Sequence, residues 1–486
     1  MNHRRASLAT LGICAILLSG PAAAAADPGS PRVSGPSPYT ACTAAGSGDL
    51  YPDAEVEVNV ASDPAKPGHL IAVWQQDRFS NGGSRGIVAA SSQDAGRSWS
   101  RTTLPFNRCA PGGLDYARAS NPVVSFGPDG TAYAAALTLD SGSSPRFGVA
   151  SAVSRDGGRS WDTVRLLVQD DDGGTDKPWI TADPRRPGTA YAVWDDVTFG
   201  DGDHFRGPAY FSKTIDFGST WSKPSAIAGT GDDESTLGNQ ILVDRQTGRL
   251  YDTYAFNECI CASILKVAYV YSDDGGRTWS RQRVIADLLT VGIAQPGNRT
   301  NLRTPTYPSA AISADGKIFL TWQDSRFSGG SYDEIAVAMT KDRGEHWSTP
   351  RRANEPTGRA SFAPAVAIDA HGVVAVTYYD LRSDDLTDRA FSVDAWATTT
   401  RDGVRFRGDL HLGGSFDILA APFANGYFLG DYQGLAAAGQ TFVAAFVKSN
   451  CGADGCTDNR TDVYSARFSR TLGDRGHTSR TGATGR

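Results

Sequence analysis

The sequence predicts an all-β chain assembled from repeated sheets, and three observations carry that reading. An eight-residue pattern, S-x-D-x-G-x-x-W, recurs with Asp-to-Asp steps of 62, 60, 58, 68 and 60 residues, a period that signals a repeat architecture. A composition with 54 Gly, 10 Trp and 17 Tyr, and little helical periodicity, suits strands and turns. The same strand–turn–strand layout precedes every copy of the pattern. Length alone, 486 residues, allows two or three domains, but one repeat running almost end to end argues for a single one.

The clearest copy is Ser272-Asp273-Asp274-Gly275-Gly276-Arg277-Thr278-Trp279. Asp274 can accept hydrogen bonds from backbone N–H groups just ahead of it, a Gly supplies a left-handed step, and Trp279 brings a large apolar face into the next strand. Residues 92–99 and 154–161 repeat the pattern, 214–221 and 340–347 keep Asp, Gly and Trp, and 400–406 is a worn sixth copy with Phe406 near the Trp position. These residues resemble the Asp boxes of the sialidase superfamily. The resemblance covers roughly residues 51–468 and implies a β-propeller whose boxes are peripheral hairpin turns, away from the substrate funnel. The boxes therefore speak for fold and not for chemistry.

In chain order, Arg4 and Arg5, an apolar run at 8–18 and small residues at 22–26 read as a signal peptide cut before Asp27, so the product is expected to be secreted. The run is too short to span a bilayer, and no later stretch is long enough. The first blade is read at 56–61, 69–75, 86–91 and 101–104, and further blades begin at 121, 177, 239, 307 and 363. A seventh begins at 434 and continues through 441–448 and 462–468, lacking a fourth strand. The segment before the first blade, residues 27–50, is expected to supply that strand, from about 33, and close the ring, since closure removes exposed edges. The expected fold is thus a single propeller of seven four-stranded antiparallel blades, with six blades as the alternative. Residues 469–486 carry no apolar pattern and read as a disordered tail.

Loss of residues 1–26 leaves 45 basic against 53 acidic residues, a net charge of −8, which argues against nucleic acid and anionic membranes as partners. Six cysteines remain, an even number that suggests disulfides in an exported chain. Cys451 with Cys456 reads as a loop staple and Cys42 with Cys109 as a tie between the N-terminal segment and the first blade, while Cys259 and Cys261 are too close for an easy direct bridge. No His pattern points to zinc. The acidic runs 170–172 and 384–388 have oxygen ligands suited to a structural Ca²⁺, with solvated loops as the plainer reading. Asn298 and Asn459 fit a glycosylation pattern. No cofactor is expected, and the chain is expected to be a monomer.

In a propeller the funnel mouth is lined by inner-strand starts and by the ends of second strands. Here the starts carry Arg118, Asp176-Lys177, Asn239, Arg303, Arg359 and Asp431-Tyr432, and the ends carry Asp77-Arg78, Asp195-Asp196, Glu258, Asp324 with Arg326, and Asp380 with Arg382. Guanidinium forks bind a sugar carboxylate bidentately, and a glycosidic bond needs an acid and a nucleophile or charge stabiliser. Resemblance to the sialidases implies Tyr432 as nucleophile, because Asp431-Tyr432-Gln433-Gly434-Leu435-Ala436 is similar to their last inner strand. Asp176 or Asp431 is the candidate acid, and Arg118, Arg303 and Arg359, with Arg78 and Lys177, the substrate contacts. The recurrent Arg78, Arg326 and Arg382 also read as blade-to-blade ion pairs. The expected function is an exo-acting glycoside hydrolase on terminal acidic sugars of extracellular glycans. The family's Arg-Ile-Pro opening is replaced here by Tyr51-Pro52-Asp53-Ala54, and its middle-blade Glu is missing near Gly238-Asn239-Gln240. Those departures favour the alternative, a non-catalytic propeller binding glycan or protein through its funnel.

Overall fold

The structure, a computed structural model, describes residues 30–43, 47–142, 145–171, 174–199, 205–258, 265–294, 301–450 and 459–469. The proposed signal peptide, the tail beyond 469, Asp172, Asn298 and four of the cysteines (259, 261, 451, 456) lie outside those residues.

Among the described residues there is no α-helix, only two short 3₁₀ turns, Arg326–Ser328 and Ile418–Ala420. The strands form one eleven-stranded sheet, four four-stranded antiparallel sheets and two isolated two-residue ladders. Single pairings, Ala54 with Thr461 (parallel) and Ser84 with Ala119, divide the large sheet into three antiparallel groups, and these groups and the four smaller sheets are numbered one to seven in chain order. The inner strands are Leu50–Asp63, Arg118–Phe126, Thr175–Ala182, Ser235–Val243, Ser309–Ile312, Ser361–Ile368 and Gly434–Ala438. In sheet one the order continues with Lys66–Phe79, Ser84–Ser92 and Ser100–Leu104, each pairing with its predecessor. Second strands such as Ala132–Leu139 and Ile318–Asp324 are buried along their whole length. Neighbouring sheets cover both of their faces, so they read as unbroken runs of Ala, Val and aromatics rather than as an alternation.

The boxes show how one sheet meets the next. In box four Asp274 Oδ1 accepts from the backbone N–H groups of Arg277 and Thr278, both at 2.9 Å, and Oδ2 from the Thr278 hydroxyl at 2.7 Å. Gly276 has φ +83°, and a Cβ there would lie 2.4 Å from the Phe211 ring of sheet three. Trp279 meets the same ring edge-on at 5.3 Å. The pattern needs Gly both for its dihedral and because the turn presses against the preceding sheet. Box two lies likewise over Ile71 of sheet one, whose full burial contributes roughly 1.5–3 kcal/mol. Box one lies over sheet seven: Gly96 faces Val443, and the Trp99 indole donates to the Ser465 hydroxyl at 3.2 Å.

Inner strands are tied in the same sequence. Val124 N–H donates to Asn59, Ala182 N–H to Ser125, the Thr181 hydroxyl to the Ile241 carbonyl, Ala310 N–H to Gln240 and Val366 N–H to Ser309. The Gln433 amide donates to the Ala363 carbonyl at 2.6 Å, and the Thr461 hydroxyl to the Glu55 carbonyl at 2.6 Å. These bonds step from sheet one through sheet seven and back to sheet one. Sheet seven holds Gly434–Ala438, Thr441–Ser449 and Thr461–Phe468. Alongside the last of these, Val33 N–H donates to the Val463 carbonyl at 2.8 Å and Ser465 N–H to the Pro31 carbonyl at 3.0 Å. Cys42 and Cys109 form a disulfide with Cα atoms 5.5 Å apart, the tie expected from the sequence.

Candidate functional site

Several inner strands share a defect at one level. The pairing register slips at Glu57, Asn121, Lys177, Gly238 and Ala363. Four of these are not glycine yet take left-handed φ: 54° at Glu57, 52° at Asn121, 47° at Lys177 and 49° at Ala363. Each such residue costs on the order of 1–3 kcal/mol, and bulges re-aim side chains. Pro follows Asn121, Lys177 and Ala363, so the chain ahead of it is already biased away from helix.

Glu57, Asn121 and Lys177 line a cavity of about 670 Å³, together with Arg78, Asp176 and Arg303. Lys177 Nζ lies 2.5 Å from Asp431 Oδ2 and 3.7 Å from Glu57 Oε1. Arg303 grips Asp431 with two bonds, Nη2 at 2.7 Å and Nε at 3.3 Å. Glu57 accepts from the Gln75 amide and from Asn121 N–H. The guanidiniums of Arg78 and Arg303 both lie against the Phe428 ring, 5.1 and 4.3 Å from its centroid. Arg78 also donates to Gln75 Oε1 at 2.9 Å and the Gly83 carbonyl at 3.2 Å.

Two carboxyls here are driven in opposite directions. Burial raises Glu57 above the usual carboxylate range; Lys177 opposes this and Asp431 reinforces it. Burial acts on Asp431 too, but Lys177 and Arg303 outweigh it and hold Asp431 well below that range. For Lys177, burial pulls the pKa down, yet Asp431, Asp176 and Glu57 together keep it above the ordinary lysine value. Arg78 is lowered to about 10, first by burial and further by Arg303, with Glu57 opposing.

The other candidates stand apart from the cavity or are engaged. The Tyr432 hydroxyl donates to the Pro122 carbonyl at 2.9 Å, joining sheets seven and two, and burial, with Glu57 and Asp431 nearby, raises its pKa well above 10. Arg118 donates to Asn81 Oδ1 at 2.8 Å and to the Gly82 and Ser47 carbonyls, and stacks on Phe79 at 3.8 Å. Arg359 is half-buried before the inner strand of sheet six, and its guanidinium makes no ion pair among the described residues. The recurrent arginines pair within their own sheets rather than blade to blade: Arg326 Nε with Asp324 at 2.7 Å, and Arg382 with Asp380 and Asp409. A two-residue step along the strand end puts the fork beside its own carboxylate, which shapes that pairing. Arg78 departs from it, having Gln75 as its partner.

Sequence reasoning missed Glu57 and Phe428. Glu57 occupies the repeat position held by Asn121, Lys177 and Ala363, so superposing the repeats would have found it. Phe428 lies in the long connection before sheet seven, where no periodicity points to it. Among the described residues no three His, Cys, Asp or Glu side chains stand together in a way that could hold a metal. In the second acidic run, Asp384 accepts from Ser392 N–H and Asp385 from Thr387.

Residues 209–403 match the BNR repeat-like domain family, in agreement with the sialidase-superfamily resemblance that the boxes carry. No curated protein matches the chain. Solved structures similar to it include the Hadza microbial sialidase Hz136, at 14% identity and TM-score 0.46 over 87% of this chain and 91% of that one. An α-L-arabinanase of Penicillium chrysogenum complexed with arabinobiose has 14% identity and TM-score 0.46 over 72% and 93%. A GH93 α-L-arabinofuranosidase of Fusarium graminearum has 12% identity and TM-score 0.45 over 91% and 97%.

Proposed function

We propose that the chain is a secreted, closed seven-bladed propeller acting as an exo-glycoside hydrolase, with one terminal sugar seated between Glu57, Asp176, Lys177 and the two arginines. The observation carrying this reading is the meeting of two carboxyls, Glu57 and Asp176, and three cations in one cavity. Glu57 protonates the leaving oxygen, the role its raised pKa suits. Asp176 faces the positive charge that develops at the anomeric carbon. Asp431 is the buried counter-ion that holds Lys177 and Arg303 in place, and Tyr432 is a tether across the ring. Arg78 and Arg303, crowded around Phe428, take the carboxylate of an acidic sugar. The closed ring is supported by the inter-sheet bonds that return from sheet seven to sheet one and by box one lying on Val443.

The test is release of monosaccharide from a mixed glycan panel by wild type, Glu57→Gln and Asp176→Asn. Each substitution should lower kcat by roughly a hundredfold or more. A second reading, a glycan-binding module without catalysis, is favoured by one observation: Lys177, Arg303 and Tyr432 all have partners already. Wild type that binds the panel and releases nothing would select it.

A further inference from the structure

Of the large apolar side chains most exposed among the described residues, Phe423 is the one aromatic, at 45% exposure. It stands edge-on to Tyr427, ring centroids 5.5 Å apart at 88°, and the two residues are bridged through their backbones. Tyr51, half-buried, is the third aromatic at this patch, with the Phe423 backbone and Tyr427 beside its phenol. Burial of that phenol is only partial.

The patch adjoins the cavity on two sides. Tyr51 is the strand partner of Arg78. The Tyr427 carbonyl accepts from Arg303 N–H at 3.0 Å, and the next residue, Phe428, is the ring flanked by both arginines. An aromatic face left in water beside a polar, charged cavity matches the two faces of a sugar, whose C–H side stacks on rings while its hydroxyls point away.

We infer that Phe423, Tyr427 and Tyr51 form a second sugar subsite, so that the substrate is an oligosaccharide whose terminal residue enters the cavity while its neighbour stacks on Phe423. This rests on the proposed seating of the terminal sugar and adds the length of the ligand. The experiment compares wild type with Phe423→Ala and Phe423→Trp. The probes are sialyllactose and trigalacturonate, each set against the methyl glycoside of its own terminal sugar; binding is read by calorimetry and release by chromatography, with melting curves alongside.

The expected result is that Phe423→Ala weakens trisaccharide binding about tenfold and leaves the methyl glycoside and the melting temperature unchanged, while Phe423→Trp restores the wild-type value. Equal loss on long and short ligands, or no loss on either, overturns the subsite while leaving the hydrolase reading intact wherever release persists. Length-dependent binding without release keeps the subsite and rejects the hydrolase. Wild type that binds none of the four probes rejects both for acidic sugars.

Discussion

At Lys177 three carboxylates meet one ammonium, and most of the site's behaviour follows from that residue. Its Nζ contacts Asp431 and Glu57 with a side chain only 10% exposed. Lys177→Met would leave Asp431 to Arg303 alone and remove the ammonium that ion-pairs with Glu57, so a loss of roughly 3 kcal/mol of stability is expected by denaturant titration. Glu57 sets the pH dependence. Its folded pKa lies above the unfolded value, so the folded state holds the extra proton, and the contribution is present at low pH and lost as pH rises through the folded pKa. Activity relying on the protonated acid falls over the same rise in pH through the folded pKa, and Glu57→Gln should erase that limb of the kcat/KM profile. Part of this site is legible in the sequence alone. Asp176, Lys177, Arg78, Arg303 and Asp431 break the repeat or stand at strand ends, where a funnel gathers side chains. Side-chain direction is not legible there: Arg118 sits at an equivalent start, but Phe79 and nearby carbonyls draw its guanidinium aside.

The Asp box is the element that makes the architecture readable, because its information is local: acceptor, left-handed glycine and aromatic lie within eight residues. The same locality makes its stability testable. Asp216 is lowered to about 2, chiefly by hydrogen bonds from the Thr220 hydroxyl and N–H. Asp274 is lowered by the equivalent Thr278 donors. A depressed carboxylate stabilises the fold above its unfolded value, about 3.9, and that contribution is lost as pH falls toward the folded pKa. Acid melting curves should therefore steepen below about pH 4. Asp274→Ala should lower the melting temperature by a few degrees and flatten that steepening, with glycan release unchanged, since the box faces sheet three and not the cavity. By contrast the bulges at Glu57, Asn121, Lys177 and Ala363 recur at one repeat position but share no residue type there, so nothing local marks them. A left-handed step at a residue that is not glycine depends on neighbouring strands to hold it, and neighbours are not in the local sequence.

Over the whole molecule, the first described residues meet the last strand. Val33 and Pro31 bond to Val463 and Ser465, and the Ser34 hydroxyl donates to Asp462 at 2.9 Å. The segment then crosses to sheet one, where Ser37 donates to Asp77 at 2.6 Å and Tyr39, only 2% exposed, donates to the Ile87 carbonyl at 2.7 Å. Cys42–Cys109 fixes its far end, across a sequence separation of 67 residues. Cutting that link restores the freedom of a long loop in the unfolded chain and removes the anchor of the strap, so Cys42→Ser should cost roughly 2–4 kcal/mol. The loss should not be spread evenly. Hydrogen exchange at the amides of Val33 and Ser465 should accelerate more than in sheets three to five, because the strap covers the outer edge of Thr461–Phe468 at Val463 and Ser465. An uncovered edge pairs with other chains, so light scattering of Cys42→Ser should rise with protein concentration. Unchanged protection at Ser465 would show that Tyr39 and the strand bonds hold the strap without the disulfide.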